Sequence, residues 1–212
     1  MSNHGLRVTG YSESDLPALA QAHLEAYKGY KNAGIGRRYV REFLRWFLKA
    51  DSTIALKAEF DGQPCGYVVG LPVGRHTELN RDLLSAYAIG ALTHPWVLLR
   101  QEYRASARAK LKRILKQWRN APPVPTNSKR HPGRGMGLTS IAVSPRFAGN
   151  GAGAALMLAF EERARQMQYD YLRLSVYADN DRARGVYERA GWTLDSADQR
   201  VVDYEKPLSG QV

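Results

Sequence analysis

Three glycines at alternate positions, Gly149, Gly151 and Gly153, connect an apolar strand pattern to a helical one. Glycine lets the backbone approach a ligand closely and lets successive N–H groups point to one place. Where such a turn opens a helix, these donors and the helix dipole favour an anion, typically a phosphate. The lysine and Ser/Thr of a nucleotide-hydrolysing P-loop are absent, so nucleotide hydrolysis is not expected. A tight turn without a ligand is the alternative.

Two segments around this turn resemble the GNAT acetyltransferase family. The first runs from Ile141 through the glycines and is similar to the family's acetyl-CoA motif, commonly V-x-P-x-x-[RQ]-x-x-G-x-[GA]. Ala148 stands where the family usually has Arg or Gln, and Arg146 offers only a shifted match. The second segment, Val176 to Trp192, has the family's spacing of asparagine, alanine, tyrosine and a glycine followed by an aromatic residue. The motif positions matched in the first segment are Val143, Pro145, Gly151 and Gly153.

The resemblance implies an α/β architecture, the GNAT fold, with a mixed central β-sheet flanked by helices. It also implies that the sheet splays between the strands at 138–143 and 171–176, and that pantetheine lies in the gap. Acetyl-CoA is therefore expected as a cosubstrate, without a metal. The implied cofactor-binding residues are Ile141, Ala142, Val143, Ala148, Gly149, Asn150, Gly151, Ala152, Gly153, Ala154, Asn180 and Tyr187.

Acetyl transfer to an amine needs a neutral nucleophile, a polarised thioester carbonyl and a proton for the departing sulfur. The resemblance assigns the proton donor to Tyr187, for which a packed aromatic side chain is the alternative. A backbone N–H near Val143 is expected to polarise the carbonyl. Asn180 is expected to contact the pantetheine or to cap the helix that follows it, and the two roles are compatible.

The general base is not evident from the sequence. Many family members use a glutamate on the strand before the glycine turn, but here residues 138–143 offer only Thr139 and Ser140. A water chain through Ser140 is one candidate. Cys65 is expected to be buried packing, so direct transfer in a ternary complex is favoured over a covalent intermediate. The other candidate bases are Glu78, His76, His94 and His131.

The positive charge of the chain is concentrated in one segment. The chain has 31 Lys or Arg against 20 Asp or Glu, a net charge of +11. The segment from Arg100 to Arg134, called the basic segment below, contains eleven basic residues and one acidic residue. It therefore carries +10 and leaves +1 for the remainder. A uniformly basic nucleic-acid binder would not be expected to distribute its charge in this way.

The basic segment suggests an anionic acceptor, or a contact with the phosphates of CoA. An RNA surface is a disfavoured alternative, because the predicted basic helix has no aromatic side chains outside its own apolar face. Docking to a membrane surface and a solvated helical face without a partner are two further interpretations. A homodimer is one more candidate assembly.

Hydrophobic periodicity predicts one domain over residues 1–212, with a helical, basic insertion at 72–137 before the CoA-binding strand. Asp15 is expected to cap a first helix. Asp61-Gly62 predicts a hairpin turn, and Gly66 and Gly70 predict close backbone contacts or a bulge. Further helices are expected at 37–48, 78–92, 96–119, 154–167 and 182–190, and strands at 52–60, 65–71, 138–143, 171–176, 192–195 and 200–208.

Composition excludes several classes of protein. A hydrophobic content of 44% argues against disorder of the whole chain, and no run approaches the roughly 18 uncharged apolar residues of a membrane span. The first ten residues lack the apolar core of a secretory signal. A single cysteine excludes an intramolecular disulfide framework and fits a reducing compartment, so the cytoplasm is the expected location.

The sequence therefore predicts an acetyl-CoA-dependent N-acetyltransferase acting on the primary amine of a small acceptor. An amino sugar, or a nucleotide-linked amino sugar, is the leading candidate. The alternatives are an acetyltransferase of an RNA-linked or protein amine, and a catalytically idle acetyl-CoA-binding regulatory domain.

Overall fold

The computed structural model of the chain describes residues 5–28, 36–83 and 133–208. The strands and helices in these ranges are β1 (Leu6–Gly10), α1 (Leu16–Ala26), α2 (Gly36–Lys49), β2 (Ile54–Phe60), β3 (Gln63–Pro72), β4 (Gly135–Val143), α3 (Ala152–Gln166), β5 (Tyr171–Tyr177), α4 (Asp181–Arg189), β6 (Thr193–Ala197) and β7 (Val201–Pro207).

The strands form one mixed sheet in the order β1-β2-β3-β4-β5-β7-β6. Every neighbouring pair is antiparallel except β4 and β5, which are parallel. Side chains alternate between the two faces of β3, so that Tyr67 contacts His23 of α1 while Gly70 lies against Phe160 of α3. Helices therefore cover both faces of the sheet, which confirms the predicted architecture.

Each packed helix buries one stripe of side chains. On α3, Leu156, Phe160 and Ala164 are fully buried at four-residue spacing. On α2, the buried residues are Val40, Leu44 and Phe47, and none of the arginines of this helix is among them. Within the described parts of the chain, none of the helices is long and apolar enough to cross a membrane.

The chain divides into two compact units, Met1–Val73 with Asn127–Val212, and Gly74–Thr126. In the second unit, residues 76–83 are helical and Arg75 pairs with Glu78 at 2.7 Å. The strands reach into both ends of the predicted insertion, since Pro72 ends β3 and Gly135 starts β4. Apart from its last two residues, the basic segment lies outside the described residues, so its structure and partners stay predictions.

The predicted splay is present between the two parallel strands. β4 and β5 pair only at Gly135–Tyr171, Met136–Leu172 and Gly137–Arg173. On its other edge β4 stays paired with β3 as far as Val143. The part of β4 after Gly137 therefore keeps its position while its edge toward β5 has no strand partner.

A bulge lies where this splay begins. Val69 pairs with Ser140 and Gly70 pairs with Leu138, so Thr139 has no opposite residue on β3. An extra residue in one strand bends it and changes the face to which the following side chains point. Ser140 and Ala142 consequently lie on the face covered by α1, whereas Met136 and Leu138 belong to the core under α3. The register shift falls at Gly70, and a Cβ there would lie 2.6 Å from the Gly137 carbonyl oxygen, which agrees with the close backbone contacts or bulge expected at the glycines of β3.

Lys206 of β7 connects two helices. Its ammonium donates to both carboxylate oxygens of Glu161 on α3, at 2.9 and 2.8 Å, and to the carbonyl of Ala190 after α4, at 2.7 Å. Glu161 is only 3% exposed, and a buried carboxylate is tolerated only when it is paired. The lysine therefore couples the middle of α3 to the end of α4.

Two sequence interpretations change. β1 was not predicted, because it is a short edge strand in which only Leu6 and Val8 pack against the core. Asp15 precedes α1, but its side chain makes no capping bond to that helix. Its two oxygens instead accept hydrogen bonds from Lys57 and from the backbone of Ser12. The predicted helix cap is therefore wrong, and Asp15 contributes an ion pair with β2.

We expect Gly70→Ala to destabilise the fold. A Cβ at Gly70 would lie 2.5 Å from the Phe160 ring and 2.6 Å from the Gly137 carbonyl oxygen, and overpacking of this kind costs about 1–3 kcal/mol. Gly10→Ala is the matched control, because its Cβ would have no neighbour closer than 3.9 Å. Urea denaturation measures both, and equal unfolding free energies would contradict the close packing of β3, β4 and α3.

Candidate active site

The glycine turn follows β4 directly. Ser144 accepts a hydrogen bond from the backbone of Arg146 and starts a short 3-10 turn, Pro145–Phe147. Gly149 and Gly151 have φ angles of +84° and +79°, in the left-handed region that glycine adopts without strain. A Cβ at either would have no neighbour within 4 Å. These two glycines are therefore required by backbone conformation rather than by space.

The start of α3 presents backbone donors without helical partners. The first bond at this end joins the N–H of Ala155 to the carbonyl of Gly151 at 2.9 Å. By helix geometry, the N–H groups of Ala152, Gly153 and Ala154 have no acceptor inside the helix. Together with the helix dipole, they form a site suited to a phosphate. The N–H of Ala148 is already used, since it donates to Pro145 at 3.1 Å.

Arg146, the shifted match to the family motif, points to α1. Its guanidinium donates to Glu25 at 3.1 Å, and the Ser144 hydroxyl donates to the same carboxylate at 2.7 Å. Hydrogen bonds from Gln21 and Ser144 lower the pKa of Glu25, with a smaller contribution from the Arg146 charge. This cluster connects the start of the turn to α1, and Arg146 is 77% exposed at its edge.

Polar groups gather on the unpaired part of β4. The carbonyl of Ile141 accepts a hydrogen bond from the Tyr27 hydroxyl at 3.1 Å. The Thr139 hydroxyl, at the bulge, is buried and has no hydrogen-bond partner among the described residues. The splay is therefore lined by backbone and side-chain groups that can bind a polar ligand.

Tyr187 lies on α4, a helix with an asparagine cap at its start and a glycine after its end. Asn180 caps it, since its side-chain oxygen accepts from the N–H of Ala183 at 3.2 Å, and Gly191 follows it with a φ of +82°. The Tyr187 ring is 8% exposed and lies 6.0 Å from the ring of Trp192. Burial, and to a smaller extent the Tyr27 phenol, raises the pKa of Tyr187 well above 10.0. At neutral pH the hydroxyl is protonated, and burial makes it a weaker acid than an ordinary phenol.

A polar chain that the sequence did not predict joins α1 to β4. His23 Nδ1 is hydrogen-bonded to the Tyr67 hydroxyl, which is also hydrogen-bonded to Ser140 Oγ at 2.9 Å. Burial lowers the pKa of His23 to about 4, so this imidazole is neutral at pH 7. In the sequence, His23 falls on the apolar face of α1, so periodicity alone assigns it no polar role. Its spacing from Tyr27, one helical turn away, is the only local signal of a polar role.

The other candidate bases have different surroundings. The Arg75 guanidinium hydrogen-bonds to Glu78 and lowers the pKa of that carboxyl, while burial lowers the pKa of His76. Cys65 is fully buried, as predicted, and burial raises the pKa of its thiol. His94 and His131 lie outside the described residues. Within the parts of the chain that are described, no group of three or more His, Cys, Asp or Glu could hold a metal ion.

The model of the Acetyltransferase (GNAT) family matches residues 18–192. The fold is similar to that of a ribosomal-protein-alanine N-acetyltransferase from Brucella melitensis, with a TM-score of 0.59, 15% identity, and coverage of 95% of this chain and 99% of that one. It is also similar to a PaiA N-acetyltransferase from Thermoplasma acidophilum in complex with coenzyme A, with a TM-score of 0.55, 15% identity, and coverage of 98% of this chain and 99% of that one. A comparison with curated proteins gives no match. At these identities, the structural likenesses show the fold.

We expect Gly151→Ala to weaken the binding of CoA by up to about tenfold, because a left-handed conformation costs an alanine roughly 1–2 kcal/mol and the turn would change shape to avoid it. Gly151→Asn is the matched variant, since asparagine tolerates this conformation better and should lose less affinity. Isothermal titration calorimetry with CoA measures both. Wild-type affinity in the alanine variant would show that the turn does not hold the ligand.

Proposed function

Because the chain belongs to the acetyltransferase (GNAT) family, we propose that it transfers acetyl from acetyl-CoA to the primary amine of a small acceptor. Family membership confirms the predicted acyltransferase class and acetyl-CoA as the cosubstrate. The amine attacks directly in a ternary complex. The burial of Cys65, the only cysteine, supports this route over a covalent enzyme intermediate.

The open edge of β4 is the observation that carries the proposal. After Gly137 this strand has no strand partner on its β5 side among the described residues, and at its end lies the turn that opens α3. An extended molecule with amide groups can pair with such an edge in the manner of an added strand. A pyrophosphate at the far end of that molecule meets the donors of α3. The pantetheine and phosphates of CoA have this order.

The residues that would hold the cosubstrate fall into three groups. Backbone groups of β4 bind the pantetheine, the glycine turn and first turn of α3 bind the pyrophosphate, and the region around Asn180 borders the pantetheine from α4. A backbone N–H near Val143 polarises the thioester carbonyl. In this assignment the residues are Ile141, Ala142, Val143, Ala148, Gly149, Asn150, Gly151, Ala152, Gly153, Ala154, Asn180 and Tyr187.

Tyr187 is proposed to donate a proton to the departing sulfur. The position of Tyr187 supports this role. The Tyr27 phenol lies near enough to contribute to the raised pKa of Tyr187, and the Tyr27 hydroxyl donates to the Ile141 carbonyl. The carbon–sulfur bond then breaks with its electron pair on a sulfur that receives the phenolic proton, and solvent restores the proton to Tyr187.

An anionic acceptor is favoured, with an amino sugar or a nucleotide-linked amino sugar as the leading candidate. Among the described residues, α2 adds support beyond the basic segment. A shallow groove of about 440 Å³ is lined by four arginines and one carboxylate of this helix: Arg37, Arg38, Arg41, Glu42 and Arg45. Arg45 is paired with Glu13 and Glu42. Arg38 and Arg41 make no ion pair with a described carboxylate, so their positive charges are not compensated within the part of the chain that the structure describes.

We expect the full chain to acetylate at least one member of a panel of primary amines that includes amino sugars, as measured by thiol release and by the mass of the product. Tyr187→Phe should lower kcat by about a hundredfold, the lower end of general acid–base contributions, with little change in acetyl-CoA binding. The phenylalanine keeps the ring packed against Trp192 and removes only the hydroxyl.

Tyr169→Phe is the matched control for Tyr187→Phe. It removes another buried tyrosine hydroxyl, one without a hydrogen-bond partner among the described residues, and should leave kcat unchanged. Unchanged turnover in Tyr187→Phe would exclude that residue as the proton donor. Binding of acetyl-CoA without transfer to any amine would contradict the proposed function and favour an idle binding domain.

We expect the double variant Arg38→Gln/Arg41→Gln to raise KM for a phosphorylated amino sugar several-fold while leaving KM for the uncharged sugar unchanged, because only the anion is attracted by the removed charges. Steady-state kinetics at low and physiological salt measure the difference. Arg7→Gln/Arg163→Gln removes the same charge from exposed positions elsewhere and is the control. Equal effects of the two double variants would show that α2 does not select the acceptor.

A further inference from the structure

Three side chains from three different elements form one hydrogen-bonded chain. Ser140 of β4 bonds to Tyr67 of β3 at 2.9 Å between the two oxygens, and Tyr67 bonds to Nδ1 of His23 on α1. The Tyr67 side chain is fully buried, whereas Ser140 and His23 are half-buried. The chain therefore crosses the interior between two ends that are both partly accessible.

The Ser140 end lies beside the expected position of the acetyl donor. The bulge at Thr139 turns Ser140 toward the face covered by α1. The next residue is Ile141, whose carbonyl accepts from the Tyr27 hydroxyl. The Tyr27 phenol also contributes to the raised pKa of Tyr187, the proposed proton donor to sulfur. The outer end of the chain is thus one residue away from backbone assigned to the cosubstrate.

We propose that Ser140, Tyr67 and His23 form a relay that takes the proton released by the attacking amine. This inference rests on the proposed function. Ser140 is the member that faces the amine, and Tyr67 and His23 act through it as positioning residues.

Each transfer in the relay leaves the atoms balanced. As the amine nitrogen bonds to the carbonyl carbon, its proton passes to Ser140 Oγ. The serine proton passes to the Tyr67 oxygen, and the tyrosine proton passes to His23 Nδ1. Both hydroxyl groups end as they began, and His23 becomes an imidazolium that returns its proton to solvent. The carbon–sulfur electron pair leaves on sulfur, which is protonated by Tyr187.

Among the described residues, the polar groups around His23 are phenols and not charged side chains. The groups that face His23 and Tyr67 are the phenols of Tyr27 on α1, Tyr39 on α2 and Tyr11 after β1. Burial lowers the pKa of His23, so the ring is neutral at pH 7, and its imidazolium form is disfavoured and must pass its proton on to solvent. A weak base is sufficient here, because an amine that is bonding to a carbonyl carbon is a much stronger acid than a free ammonium ion.

The test compares Tyr67→Phe with Tyr11→Phe in the full chain. Tyr11 is also buried and donates to the Leu44 carbonyl at 2.8 Å, outside the relay. Both variants lose a buried hydrogen bond, but only Tyr67→Phe should lower kcat, by about a hundredfold, with KM for acetyl-CoA little changed. The loss should shrink when the acceptor is a weakly basic alkoxyamine instead of an alkylamine, because the former releases its proton more readily.

Two further measurements distinguish loss of the relay from a folding defect in the variants. Ser140→Ala/Tyr67→Phe should be no slower than the worse single variant, because members of one relay act as a unit. In the wild type, nitrogen-15 shifts of the His23 ring should show a neutral imidazole with its proton on Nε2. His23→Gln assigns that signal.

The outcomes separate the relay from the proposed function. A wild type that acetylates amines, together with a Tyr67→Phe variant whose kcat is normal or falls equally for both acceptors, overturns the relay alone. A proton on Nδ1 of His23 also overturns it, because the nitrogen could then not accept from Tyr67. A wild type that acetylates no amine contradicts the proposed function itself.

Discussion

The point at which β4 leaves β5 determines where the rest of the site can lie. Three residues of parallel pairing hold the two strands together, and the backbone groups of β4 beyond Gly137 then face a gap on that side. Backbone polar groups are costly to bury without partners, so such an edge is stable only when solvent, a side chain or a ligand satisfies it. The continuous pairing with β3 makes the arrangement possible, because it fixes β4 from the other side.

The bulge at Thr139 directs the side chains of the two halves of β4 to opposite faces of the sheet. Before it, Met136 and Leu138 pack under α3 and contribute to the core. After it, Ser140 points to α1, where histidine and tyrosine side chains take the place of apolar ones. One extra residue thus converts a core strand into a strand that carries polar groups on the face of α1. The same change brings the Thr139 hydroxyl into a buried position where no described residue forms a hydrogen bond with it.

Local patterns predicted a large part of this fold, and the proposed cosubstrate site rests on the same patterns. The glycine turn, the helix that it opens and the segment from Asn180 to Tyr187 are visible because glycine, capping and apolar spacing act over a few residues. The polar chain was not visible, because its members are 44 and 73 residues apart and meet only after the sheet has formed. Asp15 illustrates the same limit. Its neighbours indicate a cap, but Lys57, 42 residues later, determines its contacts.

The Lys206 ammonium affects the geometry of the proposed cosubstrate site without contacting the cosubstrate. It joins the helix whose first turn is proposed to bind the phosphates to the end of the helix that carries Tyr187. A molecule held at both places must span a length that this single cation helps to set. Lys206 of β7, the strand next to the edge strand β6, would therefore help to set the length of the donor that the proposed site accepts.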